Sequence, residues 1–142
     1  MINRFDFRAY IKPYNKIYKV HSIENDGTFF AVQCFREDNI ILKRNDDRTN
    51  LLLFTEGEFD LMQSTGLVDR NGKEIYEGDI VAYIPSIKNI THYIVENYYN
   101  LVFTAKSNKN NKFDLHYLVN NDMIKNMEII GNIYENKDIL GE

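Results

Sequence analysis

The chain has 142 residues and a formal net charge of −4, with 44% hydrophobic and 27% charged residues. That length predicts one domain spanning 1–142, large enough to bury roughly 70% of the surface of its unfolded form without disulfides. The weak negative charge excludes a general field that attracts nucleic acid, and it is too small to mimic DNA.

The aromatic content of 13% comes from 10 tyrosines and 9 phenylalanines, with no tryptophan. Such residues fit a pleated surface, so the composition leans toward strands. The lone cysteine, Cys34, excludes an intramolecular disulfide and a thiolate metal pair. It lies in the apolar run Phe29-Phe30-Ala31-Val32-Gln33-Cys34-Phe35 and is expected to be a buried, inert thiol. The start, Ile2-Asn3-Arg4-Phe5-Asp6, lacks the apolar stretch of a signal peptide. No apolar run approaches the ~20 residues that span a bilayer. A cytoplasmic protein without membrane contact is the expectation.

In chain order, Phe5 to Tyr10 alternates as a half-buried strand should. Pro13-Tyr14-Asn15-Lys16 reads as a turn, and Ile17 to Ile23 completes an N-terminal hairpin. Asn25-Asp26-Gly27 turns the chain into a strand from Thr28 to Phe35. Ile40 to Leu42 is a short strand, Arg44 to Asn50 a polar loop, and Leu51 to Phe54 another strand. Glu56, Glu58 and Asp60 would share one face if extended, and are expected to charge an edge strand against mispairing.

Leu61 to Gln63 is a short strand, and Asp69-Arg70-Asn71-Gly72 is a strong turn signal. A second turn, Glu77-Gly78-Asp79, launches the strand Ile80 to Ile84, and Pro85 is expected to stop pairing. Strands follow at Thr91 to Glu96, Leu101 to Ala105 and Lys112 to Tyr117. Asn121-Asp122 can cap a short helix through Met127. Glu128 to Tyr134 is a last strand with a bulge at Gly131, and Asn136 can cap a final turn through Leu140. The predicted fold is mainly β: a partly open barrel or a folded multi-strand sheet, with one or two short helices near the C-terminus.

Chemistry is harder to find. His21, His92 and His116 are far apart, and no H-E-x-x-H pair exists. Asp69-x-Asn71-Gly72 has Glu74 where a calcium loop needs its glycine, so that reading fails. No nucleophile elbow, phosphate loop or dinucleotide fingerprint occurs. No catalytic residue, metal or cofactor is expected. The best surface candidate is the hairpin Arg8, Tyr10, Lys12, Tyr14, Lys16, Tyr18 and Lys19, where cations could meet phosphates and tyrosines could stack on bases. The competing and favoured reading puts its tyrosines half in the core and its lysines in water. Lys106, Lys109 and Lys112 read as a solvated hairpin tip.

The stretch Leu61-Met62-Gln63-Ser64-Thr65-Gly66-Leu67-Val68-Asp69-Arg70-Asn71-Gly72-Lys73-Glu74-Ile75-Tyr76-Glu77-Gly78-Asp79-Ile80-Val81 is more specific. With Phe7-Arg8-Ala9-Tyr10 before it and Ile129-Ile130-Gly131-Asn132-Ile133-Tyr134-Glu135-Asn136 after it, it resembles the YopX family of phage and prophage proteins. Ser64 replaces a usual aromatic, Tyr10 a tryptophan, and Lys137 stands where proline is common. The resemblance implies a mostly β fold, a setting inside a bacterial host cell, and no established activity. It transfers no functional residue; the matching glycines and apolar residues fit a scaffold. The expected role is an accessory binding module for a host or phage protein. The alternative is nucleic-acid binding through the N-terminal hairpin. Exposed strand edges also lead one to expect self-association into a homo-oligomer.

Overall fold

A computed structural model describes residues 6–27, 30–35, 51–97, 101–105 and 112–140. Among them, strands form two antiparallel sheets, neither closed into a barrel, with short helical segments near the C-terminus. The described chain divides into two compact units, and the passage from Gln63 to Ser64 inside one strand connects them.

The first unit, Asp6–Gln63, carries β1 (Phe7–Ile11), β2 (Lys16–Asn25), β3 (Phe30–Phe35), β4 (Leu51–Thr55) and the start of β5 (Phe59–Val68). Their order is β4-β3-β2-β1-β5. Alternation decides the faces. Ala9 and Ile11 are fully buried, while Arg8 and Tyr10, which alternate with them, are half-buried. Tyr18, Val32, Cys34, Leu52, Phe54 and Phe59 complete this core. Phe30 meets Phe59 edge-on at 5.3 Å, and Tyr14 meets Phe54 at 5.7 Å, geometries that add to burial.

The second unit continues β5 and pairs it with β6 (Glu74–Tyr76). A bulge separates Ser64↔Tyr76 from Val68↔Glu74 and contains Gly66 at φ +80°. Thr65 Oγ1 donates to the Ile75 carbonyl at 2.8 Å and accepts from Leu67 N–H at 3.1 Å. A five-stranded sheet follows, ordered β10-β9-β8-β7-β11. Its strands are β7 (Asp79–Ser86), β8 (Asn89–Asn97), β9 (Leu101–Ala105), β10 (Lys112–Asp114) and β11 (Met127–Asn132). Val81, Tyr93, Val95, Phe103 and Met127 pack with Ile75, Leu118 and Met123 beneath it.

Several sequence expectations change. The strand expected from Lys112 to Tyr117 stops at Asp114, where α1 (Leu115–Asn120) begins. The Asp114 carboxylate accepts from Tyr117 N–H at 2.8 Å, an N-cap that outweighs strand propensity. No helix runs from Asn121 to Met127; a single 3-10 turn covers Ile124–Asn126. Asn121 and Asp122 end α1 instead of starting a helix, with Asp122 left-handed at φ 57°.

The acidic trio is not an edge device. Glu56 and Gly57 form the β4–β5 turn, and Glu58 accepts from Thr55 N–H and Oγ1 at 3.0 Å. Asp60 lies in a strand paired with β1. Pro85 falls in a register irregularity, after which pairing resumes at Ser86↔Asn89. The Gly131 bulge is present, between Ile129 and Gly131. The expected strand Ile40–Leu42, the loop Arg44–Asn50, and Lys106 and Lys109 lie outside the described residues.

Candidate functional site

The N-terminal hairpin splits its candidate residues between two faces and a turn. Arg8 stands directly opposite Lys19, and Tyr10 lies two residues along the same face. Tyr18 faces the other way, opposite Ala9, and is 1% exposed. Its ring therefore cannot stack on a base. Tyr14 packs partly buried against the same core. Lys16 places Nζ 6.0 Å from the Tyr18 ring centroid. Lys12 and Tyr14 sit in a 3-10 turn, with Asn15 left-handed at φ 52° and accepting from the Tyr10 hydroxyl. Lys12 lies 3.7 Å from the Asp60 carboxylate, opposite in charge. What the hairpin brings together on one face is Arg8, Tyr10 and Lys19. Tyr14, Lys16 and Tyr18 are placed elsewhere, while the Lys12 ammonium lies against Asp60, which stands directly opposite Tyr10.

Cys34 is fully buried, and burial pushes its thiol up to about 12. A thiol so rarely ionised is a poor nucleophile. Native protein with a disulfide reagent at pH 8 should stay unlabelled while denaturant speeds labelling roughly a hundredfold or more, since only the thiolate reacts. Labelling at equal rates in both states would contradict that placement.

His21 packs edge-on against Phe35 at 5.2 Å, and His92 stands opposite Ala82 within the second sheet. Among the described residues, no group of three or more His, Cys, Asp or Glu side chains could hold a metal ion. No described helix is long and apolar enough to cross a membrane.

The polar residues of the specific tract have another task. Asp69 is 4% exposed, and its carboxylate takes N–H donors from Asn71 and Lys73, each at 2.9 Å, and from Ile129 at 3.0 Å. Burial raises its pKa, but those three backbone donors and the Lys73 charge outweigh burial and hold it below the ordinary value. Gly72 closes the turn at φ +80°, donating to the Asp69 carbonyl at 3.0 Å. Arg70 meets Glu128 at 2.7 Å, and Asn71 donates to the same carboxylate at 3.2 Å. Asp79, 1% exposed, accepts from Tyr76 N–H at 2.8 Å across the next turn. Asn132 Oδ1 accepts from Tyr134 and Glu135 N–H, while Asn136 Oδ1 accepts from Asn132 N–H at 3.1 Å. Acceptors saturated by their own backbone are architecture and not reagents.

One surface feature escaped the sequence reading. The β7–β8 hairpin turns through Ile87 and Lys88, and Ile87 is 92% exposed. Ile90, just beyond, is 53% exposed. Neither Ile87 nor Lys88 has the positive φ that tight two-residue hairpins favour. An apolar pair in a run of otherwise polar residues, Ser86-Ile87-Lys88-Asn89-Ile90, was the available signal.

The arrangement defines an antiparallel two-sheet β protein whose most specific polar residues serve its own turns and strand ends. The family described as "YopX protein" matches residues 6–141, and the chain belongs to the YopX family. Among solved structures it is similar to the "Crystal structure of protein EF1440 from Enterococcus faecalis", with a TM-score of 0.63 and 24% identity. That match covers 95% of this chain and 96% of the other, and at this identity the likeness is one of fold. No curated protein matches the chain.

Proposed function

We propose that this chain is a phage- or prophage-encoded accessory binding module acting on a host or phage protein in the bacterial cytoplasm. The phage setting draws on the family resemblance of the 61–81 tract. The binding role rests on the β7–β8 tip, where Ile87 stands 92% exposed and Ile90 53% exposed. Large apolar side chains exposed together at a hairpin tip are the kind of surface that meets a partner. Burying an isoleucine is worth about 1.5–3 kcal/mol, so Ile87→Asp should weaken partner binding roughly tenfold to a hundredfold. The fold should be untouched, because so exposed a side chain contributes little to it. Affinity capture from a bacterial host with wild type and Ile87→Asp in parallel tests this. A partner retained equally by both proteins would remove the tip from the interface.

A second reading keeps nucleic acid, because Arg8 and Lys19 oppose each other on one face beside Tyr10. Two cations and a tyrosine on one sheet face are the groups that would meet a phosphate and a base. A gel shift at low salt, lost when Arg8 and Lys19 are neutralised, would support it. No shift with single- or double-stranded DNA or RNA would end it.

A further inference from the structure

β11 is the last strand in its sheet, with β7 on one side only. An edge of this kind is a template for another strand, because alternate residues aim N–H and C=O groups away from the sheet. Here five of those groups are occupied. Met127 N–H donates to the Ile124 carbonyl. The Met127 carbonyl accepts from Arg70 N–H at 2.8 Å. Ile129 N–H donates to the Asp69 carboxylate at 3.0 Å. Asn132 N–H donates to Asn136 Oδ1, and the Asn132 carbonyl accepts from Asn136 N–H, both at 3.1 Å. Ile124 comes from the adjoining 3-10 turn, Asp69 and Arg70 from the 69–72 turn, and Asn136 from the turn after β11.

We infer that these three turns together form an edge guard, which keeps β11 from pairing with β11 of a second copy of the chain. The side chains that make the guard are Asp69 and Asn136, which replace a neighbouring strand by supplying oxygens where its carbonyls would be. The Arg70–Glu128 ion pair and the Asn71–Glu128 bond fasten the 69–72 turn to the same strand from its side-chain face. A second copy is the occupant that a bare edge would take first. A symmetric antiparallel pair needs only the one strand every copy carries, at the highest local concentration in any purified sample. The inference is independent of the partner reading above, since it concerns β11 and not the β7–β8 tip.

Two variants test it from opposite ends of the strand. Asp69→Ala uncovers Ile129 N–H, and Asn136→Ala uncovers Asn132 N–H. Hydrogen exchange at those two amides and sedimentation equilibrium up to 0.5 mM are read on each variant that keeps the wild-type circular dichroism. The expected result is at least a tenfold rise in exchange at the uncovered amide and at least a tenfold increase in self-association over wild type. A folded variant with a fast-exchanging amide that self-associates no more than wild type overturns the inference. So does an amide whose exchange is unchanged, because the edge is then covered by something else. Asn136 lies on the surface turn, so Asn136→Ala decides the matter alone if Asp69→Ala does not fold.

Discussion

Asp69→Ala is expected to lower unfolding free energy by about 2–4 kcal/mol, the range for losing a buried, charge-assisted network. Three backbone N–H groups lose their acceptor at once, from Asn71, Lys73 and Ile129. The first two belong to the turn and can find water. Ile129 lies 60 residues away and is held to the turn by that carboxylate. Asp69→Asn should cost less, since an amide oxygen can still accept, though with a single oxygen and no charge. The same carboxylate makes stability depend on pH. Its folded pKa is lowered from the ordinary 3.8, so the unfolded chain binds the proton more readily. Its stabilisation is therefore complete above that ordinary value and is lost as pH falls through the lower folded one. Urea melts at pH 6 and pH 3 should show the wild type losing more stability on acidification than Asp69→Asn. Equal losses would show that other carboxylates carry the acid sensitivity.

The run Phe5 to Tyr10 was legible as a strand because a half-buried strand must change face at every residue. The runs at 17–23, 51–54 and 91–96 were legible from apolar and β-branched residues bounded by turn signals. The turn at Asp69–Gly72 was legible for a similar reason, since Asn-Gly accepts conformations that other pairs resist. Register was not legible. Arg8, Tyr10, Tyr18 and Lys19 form one basic, aromatic stretch on paper, but the pairing Ala9↔Tyr18 sends Tyr18 into the core while Arg8 and Lys19 share the other face. A shift of one residue would have exchanged those roles. Asp114 lies within Lys112–Tyr117, a run expected to be strand. Its capping bond won, and the Phe113 and Tyr117 rings stack at 4.7 Å across the start of α1. The edge guard was beyond sequence reading altogether. Asp69 and Ile129 are distant along the chain, and nothing in either segment announces the other.

Gly131→Ala should be destabilising by about 1–3 kcal/mol, as overpacking is elsewhere. The reason lies in a neighbour and not in backbone conformation, since Gly131 is absent from the residues with positive φ. A Cβ at this position would lie 2.6 Å from Asn136 Oδ1, 2.7 Å from its Cγ and 2.9 Å from its Cβ. Asn136 cannot swing aside freely, because its Oδ1 holds Asn132 N–H at 3.1 Å. The bulge between Ile129 and Gly131 thus opens a place for Asn136 to close over the strand end. A double-mutant cycle separates this from a generic glycine effect. Asn136→Ala alone should cost about 1 kcal/mol for the lost bond. In that background Gly131→Ala should cost less than in the wild type, because the two nearest atoms are gone while Asn136 Cβ stays 2.9 Å away. The coupling should then recover part of the penalty of Gly131→Ala, about 1 kcal/mol by the rule for residues in contact. Additive penalties in thermal or urea unfolding would place the need for glycine in the backbone of the bulge, and would leave Asn136 as a capping residue without a steric claim on position 131.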